Sequence, residues 1–255
     1  MSLPDDPARG PWSALRRFTP ARVALGRAGV SQPTQAHLAF QFDHARARDA
    51  VRRHLDPVVI AAALARLGRE TIEVHSAAPD RVTYLRRPDL GRRLDEASRA
   101  ALAARADACD VLFVIADGLC ARAAEAWAGP LVGKVAPALE AQGLIVGPLV
   151  VARQARVALG DEAGEITQAR LVVVLIGERP GLSSFDSLGA YVTHAPRVGR
   201  TDAERNCVSN IRAAGLAPDQ AARKLLYLIT ASLRLGLSGV ALKDDSAAPP
   251  MLEGR

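Results

Sequence analysis

The sequence predicts an α/β protein, with a largely parallel sheet in its second part and a smaller, mainly helical region before it. From about residue 96, short apolar runs are continuous rather than alternating, which is typical of strands buried on both faces. Segments with helical patterns separate these runs, and such segments usually connect parallel strands. The first part of the chain contains no comparable series of strands. We therefore divide the chain into residues 1–95 and residues 96–255.

The composition is that of a protein able to form a hydrophobic core. The 255 residues are 49% hydrophobic and 24% charged. No apolar run reaches the roughly 20 residues that a bilayer-spanning helix needs. The start "MSLPDDPARGPW" has acids and prolines where a signal peptide would be basic and then apolar. We expect a cytoplasmic protein that makes no contact with a membrane.

The cysteines do not indicate a disulfide scaffold or a zinc site. Their number is odd, and none forms a C-x-x-C pair or lies in a cluster with histidine. We expect all three to be small, buried apolar residues: Cys109, Cys120 and Cys207. The five histidines are scattered, and we interpret all of them as structural: His37, His44, His54, His75 and His194.

The N-terminal region is expected to contain two helices followed by two short strands. The first helix begins at Pro33 and Thr34, after which apolar residues recur with a helical period. The second extends from Pro57 to Gly68, with proline at its start and glycine at its end. The segments "TIEVHS" and "RVTYLRR" alternate like strands on either side of the turn "AAPD". This region has little apolar material of its own, so we expect it to dock on another surface.

All of the excess positive charge lies in the N-terminal region. Lys and Arg outnumber Asp and Glu by 16 to 10 in residues 1–95, and the two classes are equal at 17 in the remainder. Such an excess is typical of a surface for an acidic partner or for nucleic acid. Aromatic residues make up only 4% of the chain and provide few stacking platforms for bases. A basic nucleic-acid-binding module is therefore an alternative that we do not favour.

The second part is predicted to alternate strands and helices. A strand at Val111–Ala116 leads into an alanine-rich helix that ends near Gln142. The last helix begins near Pro218 and ends at Gly236. Four more apolar segments predict strands: "GLIVGPLVVARQA", "RLVVVLIGE", "LGAYVTHAP" and "SGVALKD". This alternation is typical of a Rossmann-like domain.

Ligands of such sheets bind beyond the carboxyl ends of the strands, where "ADGL" and "GERPGL" occur in this chain. Neither G-x-G-x-x-G nor G-x-x-x-x-G-K-[ST] is present in the sequence, so these loops are not phosphate fingerprints. Glu178 is either a strand-end carboxylate paired with an arginine such as Arg179, or a catalytic acid–base group. The catalytic role requires Asp186 or His194 to converge on it. Spacing alone does not choose between these alternatives.

The segment "RVGRTDAERNCVSNI", Arg197–Ile211, has many polar residues and little apolar periodicity, which predicts a functional loop. A reactive thiolate at Cys207 is conceivable because Arg205 is near in sequence, but no histidine accompanies it closely. The segment "RVALGDEAGE" is predicted to be an ordinary loop that leads into a short helix. A self-sufficient enzyme that uses Glu178 and Cys207 as acid–base group and nucleophile is a second alternative.

Six long motifs occur in order along the chain: "LRRFTPARVALGRAGVSQPTQAHLAFQFDHARARDAV", "YLRRPDLGRRL", "VIADGL", "RVALGDEAGE", "LIGERPGLSSFDSLGAYVTHAPRVGRTDAERNCVSNI" and "GLSGVALKD". Together they closely resemble the small (light) subunit of ethanolamine ammonia-lyase. The resemblance extends from about residue 13 to residue 245, and its motifs are uninterrupted.

This resemblance implies an adenosylcobalamin-dependent lyase of two subunits, which converts ethanolamine to acetaldehyde and ammonia. The large subunit is then a barrel that holds the substrate, the cofactor lies between the two chains, and the pairs assemble into a higher-order hetero-oligomer. The family's cobalamin contacts fall on Val157 in "RVALGDE", Glu178 in "GERPGL" and Cys207 in "ERNCVSN". The resemblance implies no catalytic residue and no metal ligand on this chain.

The resemblance also implies that the loop at Glu178 binds part of the cobalamin. Cobalamin is a flat corrin with apolar faces and a rim of amides, so its site needs exposed backbone, small apolar contacts and a few polar groups. Gly177, Pro180 and Gly181 would let the backbone approach, and Glu178 would accept hydrogen bonds from rim amides. The signature D-x-H-x-x-G is absent, which fits a cofactor that keeps its own base on cobalt. About a dozen residues precede the first motif, so we do not expect an extension that targets a bacterial microcompartment.

Overall fold

The computed structural model describes residues 11–105 and 107–246. At its centre is a six-stranded sheet with the order β1-β3-β2-β4-β5-β6. The strands are β1 Thr71–His75, β2 Val111–Ala116, β3 Val146–Arg153, β4 Leu171–Gly177, β5 Leu188–His194 and β6 Arg205–Ile211. The helices are α1 Thr34–Arg52, α2 Pro57–Ala65, α3 Arg81–Arg86, α4 Glu96–Ala103, α5 Ala121–Glu140, α6 Leu159–Ile166 and α7 Pro218–Leu235.

The sheet is parallel over four strands and antiparallel over the last two. β1, β3, β2 and β4 pair in parallel, whereas β5 is antiparallel to both β4 and β6. Every residue of β2 and of β4 is buried, as expected for continuous apolar strands at the centre of a sheet. The predicted α/β class with a largely parallel sheet is confirmed.

The core lies on both faces of this sheet. Alternate residues of β2 point to opposite faces, so Phe113 and Ile115 pack with α2, α5 and α7, while Leu112 and Val114 pack with residues of α4 and α6. Alanine is frequent on the buried side of α5, and its small side chain lets a long helix lie close to the strands. The helices predicted to end near Gln142 and at Gly236 are both present.

The direction of the strands brings several chain segments to one edge. The ends of β2, β3 and β4 meet there because these strands are parallel. Leu188, the first residue of β5, pairs with Gly177 on one side and with Ile211 on the other. The end of β4, the start of β5 and the end of β6 are therefore neighbours at this edge.

Three local predictions were wrong. The segment "RVTYLRR" forms α3 rather than a strand, because the carboxylate of Asp80 caps the helix by accepting from the Thr83 backbone N–H at 2.8 Å. The segment "SGVALKD" contains a 3-10 turn, Gly239–Ala241, instead of a strand. The segment "ERNCVSNI" is predicted as a loop but forms β6, with Arg205 among its buried residues.

The N-terminal region contributes β1 to the sheet through its pairing with β3, while its longest helix remains on the surface. Helix α1 buries none of its residues, and Phe42 on it is 63% exposed. The division at residue 95 stays a prediction. Among the described residues, no helix is long and apolar enough to cross a membrane.

The cysteines differ from one another. Cys109 and Cys120 are buried, as expected, but Cys207 is exposed because it lies on the edge strand β6. The expectation of burial was therefore wrong for Cys207.

Candidate functional site

A continuous groove follows the edge of the sheet where β2 and β4 end. Its first cleft, of about 640 Å³, lies over these two ends. A second, of about 610 Å³, lies between residues 16–25, α1 and the loop at residues 182–185. A third, of about 460 Å³, lies between α1 and residues 179–182. Pro20 and Ser183 line the first two clefts, and Leu119, Arg156, Arg179 and Gly181 line the first and third. The groove is therefore suited to a ligand that extends beyond a single pocket.

Two glycines at this edge are required by the fold itself. Gly118 has φ +54°, and a Cβ on it would lie 2.3 Å from the carbonyl oxygen of Gly177. A Cβ on Gly177 would lie 2.0 Å from the carbonyl oxygen of Cys120. The loop after β2 thus passes directly across the end of β4, and the Leu119 N–H donates to Gly177 at 2.9 Å. The absence of a side chain at Gly177 therefore permits close contact between two loops.

Gly181 is different because the fold leaves space beside it. The nearest atoms to a Cβ there belong to Ser184 and lie 3.7 Å away or more, which is an ordinary contact. Gly181 lines both the first and the third cleft. A side chain at this position would enter the groove without clashing with the protein, so glycine leaves this part of the groove open.

Glu178 is held across the sheet by residues of β6. Its carboxylate accepts a hydrogen bond from the Ser209 hydroxyl at 2.5 Å and from the Asn210 backbone N–H at 3.2 Å. A Cβ on Gly189 of β5 would lie 3.1 Å from this carboxylate, so glycine makes room for Glu178 to reach β6. No ion pair between Glu178 and Arg179 occurs in the described part of the chain. The expected pairing with Arg179 is therefore not what holds this carboxylate.

The catalytic partners considered for Glu178 do not converge on it. His194 pairs with Leu171 at the opposite end of β4, while Leu188 pairs with Gly177 beside Glu178. Six residue steps along the strand separate the two ends by about 20 Å. Asp186 is near the correct edge, but it does not line any of the three clefts. The structure thus provides no acid–base pair around Glu178 from these residues.

Val157 lies in the loop between β3 and α6, where it lines the first cleft and packs against the core. The predicted loop and short helix are present here. Two buried carboxylates at the start of α6 hold this segment in place. Asp161 pairs with Arg205 of β6, and Glu162 accepts from the Leu94 N–H at 2.8 Å and pairs with Arg99 of α4.

Cys207 faces the same side of the sheet as Tyr191, its partner on β5, and Tyr191 lines the first cleft. Cys207 itself is not among the residues that line it. Desolvation of the thiol raises the pKa of Cys207, and the charge of Glu178 acts in the same direction. Arg205 is buried and paired with Asp161, so it is engaged away from the sulfur. The thiol is therefore kept protonated, which disfavours a reactive thiolate.

Arg156 is the main feature of the groove that sequence reasoning missed. Its guanidinium carbon lies 4.4 Å from the centre of the Tyr84 ring, and its backbone N–H donates to Gly91 at 2.7 Å. Tyr84 is fully buried, and its hydroxyl donates to the Ala155 carbonyl at 2.9 Å. The Nε of Arg156 is buried and has no hydrogen-bond partner in the part of the chain that the structure describes. Arg156 and Tyr84 are 72 residues apart, and no local pattern connects them.

The comparisons with known proteins agree on one family. The model of the ethanolamine ammonia-lyase light chain family matches residues 9–243. A protein named ethanolamine ammonia-lyase small subunit from Xanthomonas campestris pv. campestris is 52% identical over 98% of this chain and 93% of its own length. A protein with the same name from Ralstonia nicotianae is 53% identical over 98% of this chain and 96% of its own length. Another, from Pseudomonas fluorescens, is 50% identical over 96% of this chain and 89% of its own length. The chain therefore belongs to the ethanolamine ammonia-lyase light chain family.

Proposed function

We propose that this chain is the small subunit of an adenosylcobalamin-dependent lyase that converts ethanolamine to acetaldehyde and ammonia. In this proposal, the groove at the end of β4 forms one wall of the cobalamin site and the large subunit forms the other. The observation that carries the proposal is the open groove itself, which combines an uncrowded glycine, an anchored carboxylate and a polar rim.

The residues of the groove fit the chemistry of a corrin. Apolar contacts come from Leu119, Val157 and Ile176, which suit the faces of a flat ring. Donors and acceptors come from serines that suit a rim of amides: Ser183, Ser184, Ser187 and Ser209. Gly181 leaves space for a large ligand to approach the backbone. The set of side chains therefore supports a cobalamin site.

Each proposed contact has a definite task. Glu178 accepts hydrogen bonds from rim amides, and its anchoring by Ser209 and Asn210 fixes its orientation before the ligand arrives. Val157 provides an apolar contact, and Cys207 a small, soft one beside Tyr191. When bound, adenosylcobalamin supplies a cobalt–carbon bond whose homolysis starts radical chemistry. This chain orients the cofactor and keeps water away from it.

We further propose that the N-terminal region docks on the large subunit. The described residues between 12 and 42 include seven exposed large apolar side chains: Trp12, Leu15, Phe18, Val30, Leu38, Phe40 and Phe42. Exposed apolar residues in such number support a protein interface. Arginines nearby supply charge for an acidic partner surface, namely Arg16, Arg17 and Arg27, whereas Arg22 pairs with Asp43. The cytoplasmic location and the higher-order assembly remain predictions.

The test is adenosylcobalamin binding, followed by visible absorbance, for this chain alone and for this chain co-purified with a large subunit. We expect tight binding only in the mixture, together with release of ammonia from ethanolamine. Failure of the two chains to associate, or of the complex to bind cobalamin, would contradict the proposal. Turnover by the isolated chain would favour a self-sufficient enzyme, and salt-sensitive binding of DNA or RNA would favour the basic module.

A further inference from the structure

The groove carries positive charge that carboxylates of the described residues neutralise only at Arg48, which lies 4.0 Å from Asp49. Four arginines line the first and third clefts: Arg48, Arg156, Arg179 and Arg212. Glu178 is the single carboxylate among the residues that line these two clefts. Its oxygens already accept from Ser209 and Asn210. An anionic group on the ligand would therefore be attracted to this part of the groove.

Arg156 is the arginine best prepared to receive such a group. It lines both clefts, whereas Arg48 and Arg212 each line one. Its guanidinium lies over the buried ring of Tyr84, and its backbone is tied to Gly91. A cation held against an aromatic ring loses little side-chain freedom when a ligand binds. Arg179 lines the same two clefts and places a second cation beside it, but its own side chain is exposed.

The hydrogen bonds of Arg156 leave its charge without an anionic partner. No carboxylate of the described residues forms an ion pair with it, and its Nη2 reaches only the Tyr84 carbonyl, at 3.4 Å. Its Nε is buried without an acceptor among the described residues, which costs free energy. A guanidinium that lines a groove and has no carboxylate partner among the described residues is suited to bind an anionic group of a ligand.

We propose that Arg156 binds the phosphodiester of the cofactor's nucleotide tail, at the junction of the first and third clefts. The inference rests on the proposed cobalamin site and adds the residue that recognises the anionic part of the ligand. Adenosylcobalamin contains one phosphodiester, and a guanidinium pairs with phosphate through two parallel N–H donors. Residues of the first cleft would then hold the corrin, and residues of the third cleft would hold the nucleotide tail.

The experiment compares two ligands on the complex of this chain with the large subunit. Adenosylcobalamin carries the phosphodiester, whereas adenosylcobinamide has the same corrin and adenosyl group without the nucleotide tail. For Arg156→Gln we expect the Kd of adenosylcobalamin to rise roughly 10- to 100-fold, the size of a hydrogen bond to a charged group. The Kd of adenosylcobinamide should stay within about twofold, since the lost contact is absent from that ligand.

Two further variants separate recognition from structure. Arg156→Lys keeps the positive charge but not the two parallel N–H donors, so it should recover only part of the lost affinity. Arg153→Gln removes an exposed arginine three positions away that lines none of the three clefts, and it should change neither Kd. An equal loss for both ligands, or no loss for either, would overturn the role of Arg156. Failure of the wild-type complex to bind either ligand would instead overturn the cobalamin site itself.

Discussion

Replacement of Asp161 by asparagine should strongly destabilise the protein. Its carboxylate accepts two hydrogen bonds from Arg205, at 2.5 and 2.7 Å, and both side chains are 2% exposed. Asparagine keeps one acceptor oxygen but places an amide donor opposite a guanidinium N–H. Arg205 also donates to the Thr193 hydroxyl and the Arg200 carbonyl, and its other carboxylate partner among the described residues is Asp202, which lies 3.5 Å away and is fully exposed. Arg205 is then a buried cation whose remaining counter-ion, Asp202, is exposed and screened by solvent.

The expected loss follows from this burial. Removal of one partner of a buried ion pair costs about 3–5 kcal/mol, and we expect the lower end because one hydrogen bond survives. For a chain of this size, roughly 2–4 °C per kcal/mol predicts a fall in Tm of about 6–12 °C. Urea denaturation of the full chain, with the free energy of unfolding extrapolated to water, measures the first quantity.

A matched control uses a pair on the surface. Lys134 and Asp219 are 51% and 68% exposed, so Asp219→Asn should cost at most about 1 kcal/mol. The double variant Asp161→Leu, Arg205→Met removes both buried charges and should recover much of the stability that Asp161→Asn loses. A loss below about 1 kcal/mol for Asp161→Asn, equal to that of the control, would refute the reasoning.

Three further predictions concern the groove and its surroundings. Glu178→Ala should weaken cobalamin binding by the complex at least about tenfold while Tm changes little, because the carboxylate lies on the surface of the groove; an unchanged Kd in a titration would contradict its role. Gly118→Ala should lower the free energy of unfolding by more than about 2 kcal/mol, because Gly118 has a positive φ and a Cβ there would lie 2.3 Å from the Gly177 carbonyl oxygen. Gly181→Ala should leave the free energy of unfolding unchanged and weaken cobalamin binding. Equal urea midpoints for the two variants would count against this distinction. Burial, followed by the charges of Arg170 and Arg200, lowers the pKa of His194 in the folded chain. As pH decreases from about 6.5, His194 therefore takes up a proton in the unfolded chain before it does so in the folded chain, and the free energy of unfolding falls. His194→Gln should flatten that dependence, and parallel pH profiles of Tm would show that another group is responsible.

The central elements could be predicted because their signals are local. β2 and β4 are continuous apolar runs, and α7 begins with Pro218 and ends before Gly236 in a left-handed conformation. Neither signal depends on a distant residue. The edge of the sheet at which the groove lies could be predicted as well, because ligands of parallel sheets bind beyond the carboxyl ends of the strands.

The elements that were missed depend on contacts that a linear pattern does not contain. β6 looked like a loop because its buried face begins with Arg205, whose burial depends on Asp161, 44 residues earlier. The same limit applies to the groove, where Glu178 could be selected from its strand end but Arg156 could not, since its position depends on Tyr84. Likewise α3 alternates like a strand, and only its cap at Asp80 indicates a helix.

The turn at Gly239–Ala241 has a consequence for how the protein behaves at high concentration. β6 is the last strand of the sheet, and an open outer strand invites pairing with another molecule. Here the Asn206 side chain donates to the carbonyls of Gly239 and Leu242, at 3.1 and 2.8 Å, and accepts from the Gly239 N–H at 2.8 Å. The Asn206 side chain thereby satisfies backbone groups of the segment after α7, which packs beside the start of β6 instead of extending the sheet. We therefore expect the segment after α7 to hinder pairing of β6 with the same strand of a second molecule.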